Sequence, residues 1–172
     1  MAREDLGMPI ERRICELHIK AARTKALRIV AFTGSVFPSE WTPSFIEDLT
    51  MDVLEFAFHA RRVNQICSFE KEEFPAITNN QVNISENDPG VWIEKYQFAL
   101  NRLVHMESYT LGYAHADHRP IYTKSASNLM PLYVKASSDD HPSETISLYG
   151  LASCFLTFVI PLVKDRFPEF QF

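Results

Sequence analysis

The sequence predicts a mainly α fold, a four-helix bundle with a small β-hairpin inserted before the last helix. Three observations carry that expectation. Ile46, Leu49, Val53, Phe56, Ala60, Val63 and Cys67 recur at steps of three and four, the period of one buried helix face. "ISLYGLASCFLTFVIPLV", residues 146–163, is an uncharged apolar run of 18 residues, long enough for a core helix. "RPIYTKSA" and "LMPLYVKAS" are short, rich in β-branched and aromatic residues and separated by Ser127-Asn128, which reads as a hairpin over 119–136.

The elements follow in order. The first helix spans 10–32, with Ile10, Ile14, Leu17 and Ala21 on one face, and Gly34 and Pro38 end it. "SEWTPSF" offers Thr42 as a cap and Pro43 at the first helical position, opening a helix over 43–67. Residues 68–90 are polar and turn-rich, a surface connection. Asp88-Pro89-Gly90 launches a third helix over 90–107, with Trp92, Tyr96, Ala99, Leu103 and Met106 as its core stripe. Pro131 cannot donate to a ladder, which puts the second hairpin strand at an edge. "SSDDHPSE" turns into the last helix, 144–166, which stops before Pro168. There Ser147, Gly150, Cys154, Thr157 and Pro161 form a small-residue ridge on which a neighbouring helix can pack closely. With no second long apolar run, this helix reads as buried core and not as a membrane anchor. No repeat divides the chain, so residues 1–172 are one domain.

An apolar share of 46% and only 5 glycines belong to a folded globular chain. A net charge of −5 excludes a protein coated in positive charge for nucleic acid or anionic membrane. Residues 1–30 nevertheless hold seven Lys/Arg against four acids, a local basic face on the first helix. Cys15, Cys67 and Cys154 are odd in number, far apart in sequence, in apolar helical contexts, and lack zinc-ligand spacing. "MAREDLGMPIERR" has no apolar signal-peptide core. Together these predict a cytoplasmic, reducing setting with buried thiols, no membrane contact and no role for the Asn83-Ile84-Ser85 sequon.

Chemistry gathers in two places. On the second helix a polar ridge of Asp48, Asp52, Glu55, His59 and Arg62 runs between the core stripe and a second apolar edge of Met51, Leu54 and Phe58. Apolar surface on both sides predicts a cleft lining or a subunit contact, hence a homodimer. On the third helix Glu94, Asn101 and His105 share a face roughly opposite Trp92 and Leu103, with Arg102 beside them. Three readings stand. The polar residues are solvated i, i+3 and i+4 pairs, each stabilising by roughly 0.2–0.5 kcal/mol. Alternatively His59 and His105, from adjacent helices, face a common pocket as acid and base. A metal is the third option, but a two-iron site needs Glu-x-x-His on two helices plus two further carboxylates. Here Glu55 and His59 are four apart, and "HADH" (His115, Asp117, His118) is a single cluster, so neither metal nor cofactor is expected. There is no Gly-rich phosphate loop and no Gly-x-Ser-x-Gly elbow.

The helical layout and "LNRLVHMES" on the penultimate helix resemble the HEPN superfamily over residues 43–165. The resemblance implies a small four-helix domain, often dimeric, in a family with many metal-independent RNases of toxin–antitoxin and phage-defence systems. That family keeps an Arg, usually followed by a polar residue, with four to six residues before its His. Here Arg102 and His105 have two residues between them and Leu103 follows the Arg, while Arg13 and His18 have the family spacing but lie on the first helix. The reading drawn from all this is a self-associating interaction module with an RNA or protein partner. The alternative is an RNase in which an RNA 2′-hydroxyl attacks its own phosphate. His105 would then move the proton, Arg102 or Arg62 would stabilise the phosphorane, and Asn101 would orient the His.

Overall fold

The structure, a computed structural model, describes residues 10–77, 90–116, 127–138 and 141–172. Two long helices, α1 (Ile10–Thr33) and α2 (Thr42–Ile66), pack along each other, joined by a short strand, β1 (Phe37–Pro38), and a 3-10 turn. Then come β2 (Val91–Trp92), α3 (Tyr96–Val104), β3 (Ser108–His115), β4 (Asn128–Ser138), β5 (His141–Ser147) and α4 (Leu148–Arg166).

The bundle with one hairpin is not what forms. The fold is mixed α/β, with the helices packed on a sheet that has five strands among the described residues. β4 is its centre, antiparallel to β3 on one side and to β5 and β1 on the other, while β2 runs parallel to β5. The core lies between the helices and the sheet face that carries Leu111, Val134, Ala136 and Ile146. On the opposite face the Tyr133 ring lies over Gly112, where a Cβ would sit 2.0 Å from the ring.

Each departure from the sequence expectation has a local cause. The strand partner of β4 is 108–115, in which Tyr109, Leu111 and Tyr113 alternate with Ser108, Thr110 and Gly112. The stretch 119–126, expected as that partner, lies outside the described residues. Pro131 sits in the central strand, not at an edge. It faces the bulge between Gly112 and Tyr113, and on its other side it falls between the β1 pairing, which ends at Leu129, and the β5 pairing, which starts at Tyr133. A missing N–H is tolerated where the ladder is interrupted. The third helix starts at Tyr96 and not at 90, because Val91-Trp92 pairs with Glu144-Thr145. For the same reason the last helix begins only after Ser147, whose hydroxyl accepts from the Gly150 N–H at 3.0 Å as its cap.

The α2 stripe holds: Leu49, Val53, Phe56, Ala60, Val63 and Cys67 are buried. On α1 the face turns out differently. Cys15, Ile19, Ala22, Ala26 and Ile29 are buried, while Leu17 is 67% exposed and Ile14 is also exposed. Along α4 the small-residue ridge is buried at Ser147 and Cys154, and at Gly150 the close neighbour is a loop carbonyl: a Cβ there would lie 1.9 Å from Ile77 O. Thr157 and Pro161 face outward. Pro161 cannot bond the carbonyl four residues back, and the helix widens to a π turn over Phe155–Val159 just before it. α4 is the one described helix long and apolar enough to cross a membrane; Leu148, Leu151, Phe155, Val159 and Val163 on it are buried in the core.

Candidate functional site

A groove of about 960 Å³ opens between α3 and the ends of β4 and β5. One face of α3 builds its wall. Tyr96, Ala99, Leu100 and Leu103 are buried, and the helical period then turns Phe98, Asn101, Arg102 and His105 together into the groove. Trp92 on β2 and Glu144 on β5 close the other side.

Arg102 is its best-held polar group. The guanidinium donates to the Glu144 carboxylate and, through Nη1, to Ser138 Oγ at 3.1 Å, tying α3 to both strands. Its side chain is 11% exposed, and Nε has no partner among the described residues. His105 ends the helix: its N–H donates to Asn101 O at 3.2 Å, and the residue is exposed at the groove. Glu107 N–H then donates to Ser137 O at 2.9 Å and turns the chain into β3. Phe98, 59% exposed, carries Lys95 Nζ 5.3 Å from its ring centroid. The lining is amphipathic and mixed in sign: Glu94, Glu107 and Glu144 against Lys95 and Arg102.

The polar ridge of α2 lies elsewhere, against α1. Asp52 accepts from Lys25 Nζ at 3.0 Å and Arg28 Nε at 2.6 Å, and Glu55 pairs with Lys25 at 2.6 Å. His18 and His59 meet through their Nδ1 atoms at 2.7 Å. Burial lowers the pKa of His18, helped by the charges of His59 and Arg62. Burial likewise lowers that of His59; Glu55 opposes the shift and Lys25 adds to it. Lys25 is held above its usual range by hydrogen bonds to Glu55 and Asp52. Arg62 is exposed and donates to Gln65.

Of the residues singled out from the sequence, Asn101, Arg102 and His105 therefore share one groove. His59 and Arg62 do not line it; they belong to the α1–α2 seam. Glu144 and Ser138, assigned to a helix start and a turn, and Phe98 went unread, and His18 entered only through its spacing from Arg13. For His18 a signal existed, since His18, Lys25 and Arg28 form one face of α1 complementary to Asp52, Glu55 and His59. Among the described residues no three His, Cys, Asp or Glu side chains gather to hold a metal ion, and Asp117 and His118 lie outside them.

No family model, curated protein or solved structure matches this chain.

Proposed function

We propose that this chain is a cytoplasmic, self-associating interaction module whose α3–sheet groove takes a short amphipathic segment of a partner protein. The observation that carries the reading is the pairing of Arg102 with Glu144 inside a groove that also exposes Phe98. A phosphate-reading site presents uncompensated cations. Here the guanidinium is already neutralised by Glu144, and the further carboxylates Glu94 and Glu107 in the lining repel a polyanion. Apolar wall with a few fixed polar groups of both signs suits a peptide with one or two large side chains, and the volume accommodates only a few residues. Selection of random peptides displayed on phage tests this. Enriched peptides should carry an aromatic or aliphatic anchor beside a charge and lose at least about tenfold in affinity against Phe98→Glu, a step of 1.4 kcal/mol. No enrichment, or binding indifferent to Phe98→Glu, would overturn it.

A second reading is favoured by one observation, that Asn101, Arg102 and His105 share the groove. It is the metal-independent RNase of a toxin or defence system, supported by the resemblance of "LNRLVHMES" to HEPN domains. It requires Glu144 to release Arg102 toward a phosphorane while His105 moves the proton. RNA incubated with the protein in EDTA should then be cut by the parent and not by His105→Ala.

A further inference from the structure

We infer that Cys15 and Cys67 are a redox-active pair, able to form a reversible disulfide that staples the start of α1 to the end of α2. They are 52 positions apart in sequence, yet their sulfurs are 3.5 Å apart across the packed helices. Both are buried, in a site independent of the groove. The bond needs the sulfurs to close by about 1.5 Å, a movement within reach of side chains at a helix terminus. Cys67 occupies such a terminus. α2 ends there in a reverse turn in which Ser68 is left-handed at φ 58, Ser68 N–H donates to Gln65 O, and Phe69 N–H donates to Asn64 O at 2.8 Å. Ser68 is exposed, so a small oxidant approaching the end of α2 needs only a local opening to reach the pair.

The two thiols are not equivalent. The hydrogen bond between the two thiols lowers the pKa of Cys15 and raises that of Cys67, with burial adding to the latter. That asymmetry favours Cys15 as the nucleophile. With hydrogen peroxide as oxidant, the Cys15 thiolate attacks one peroxide oxygen, the O–O bond breaks, and hydroxide leaves and takes up a proton as water. Cys15 is then a sulfenic acid. Cys67 loses its proton and attacks the Cys15 sulfur, the S–O bond breaks, and a second water leaves. Two thiols and one peroxide thus become one disulfide and two waters. Cys154, buried with its thiol pushed up to about 12 by burial, has no such neighbour among the described residues and serves as the comparator.

The test uses the full chain, treated natively with peroxide, then blocked with N-ethylmaleimide before unfolding and mass analysis without reductant. The parent and Cys154→Ser should each lose two hydrogens, with the bridge mapping to the Cys15 and Cys67 peptides. Tm should rise by roughly 5–10 °C, because a loop of this length is closed in the unfolded chain. Dithiothreitol should reverse both changes, and Cys67→Ala should abolish the loss of hydrogens. An unchanged mass, a stable oxygen adduct in place of the bridge, a bridge that maps to Cys154, or a fall in Tm would overturn the inference. Mapping on the parent keeps the test independent of whether Cys67→Ala folds.

Discussion

The carboxylate of Asp52 accepts from the guanidinium of Arg28 at 2.6 Å across the seam between α1 and α2, although Asp52 itself is only 1% exposed. With Lys25 on its other oxygen, this buried acid is paired twice, and the pairing fixes the register of the two longest helices.

Removing that acid should cost more than removing its neighbour. Asp52→Ala leaves Arg28 without its carboxylate and Lys25 with Glu55 alone, and is expected to destabilise by about 2–3 kcal/mol in urea unfolding. Glu55→Gln, at a more exposed pair, is expected to cost under about 1 kcal/mol. Equal losses would mean that the seam is not organised around Asp52.

The histidine pair gives the seam a pH dependence of fixed sign. His18 and His59 have pKa values below the ordinary 6.5, so between the folded and unfolded values the unfolded chain binds more protons. Their contribution is complete above pH 6.5 and is lost as pH falls through the folded values. Tm measured downward from pH 7.5 should therefore fall below pH 6.5, and less steeply in His18→Gln/His59→Gln. A parent Tm that rises on acidification contradicts this.

Gly150 is required by a close approach and not by backbone freedom. Gly150→Ala would drive a methyl into the Ile77 carbonyl and should destabilise by about 2–4 kcal/mol, whereas Ser153→Ala, on the same helix, should cost under about 1 kcal/mol.

Self-association is expected at the exposed apolar rim of the seam, where Phe58, 55% exposed, stands with its ring 5.9 Å from that of His18 and Leu17 is also open. In sedimentation, Phe58→Glu should shift the protein toward monomer with Tm unchanged within a few degrees. A parent that is already monomeric, or a variant that sediments like it, removes this part of the proposal.

What the sequence made legible follows from where the determinants lie. The α2 stripe could be read because each position is strongly apolar or small and the period runs through Cys67. α1 was assigned the wrong face because Ile14 and Leu17 outweigh Cys15, Ala22 and Ala26 in hydropathy. Small residues are what let two helices approach, and they score poorly. Tyr109, Leu111 and Tyr113 alternate along β3, yet the sequence expectation sets the hairpin at 119–136 and leaves 108–115 without an element, while "HPSETIS" has no strand pattern and becomes β5 by pairing with β4. The same division holds at the groove. Asn101, Arg102 and His105 come together by local helical spacing, but Glu144 and Ser138 reach Arg102 across 42 and 36 positions, and only the sheet supplies that proximity.

The most direct test of the groove is a fluorescence titration in a Trp41→Phe background, which leaves Trp92 as the sole tryptophan and places it in the lining. Adding a phage-selected amphipathic peptide should change its emission saturably, and Phe98→Glu should weaken the binding at least about tenfold. A flat titration, or RNA in EDTA that both shifts Trp92 emission and is cut by the parent but not by His105→Ala, would contradict the account.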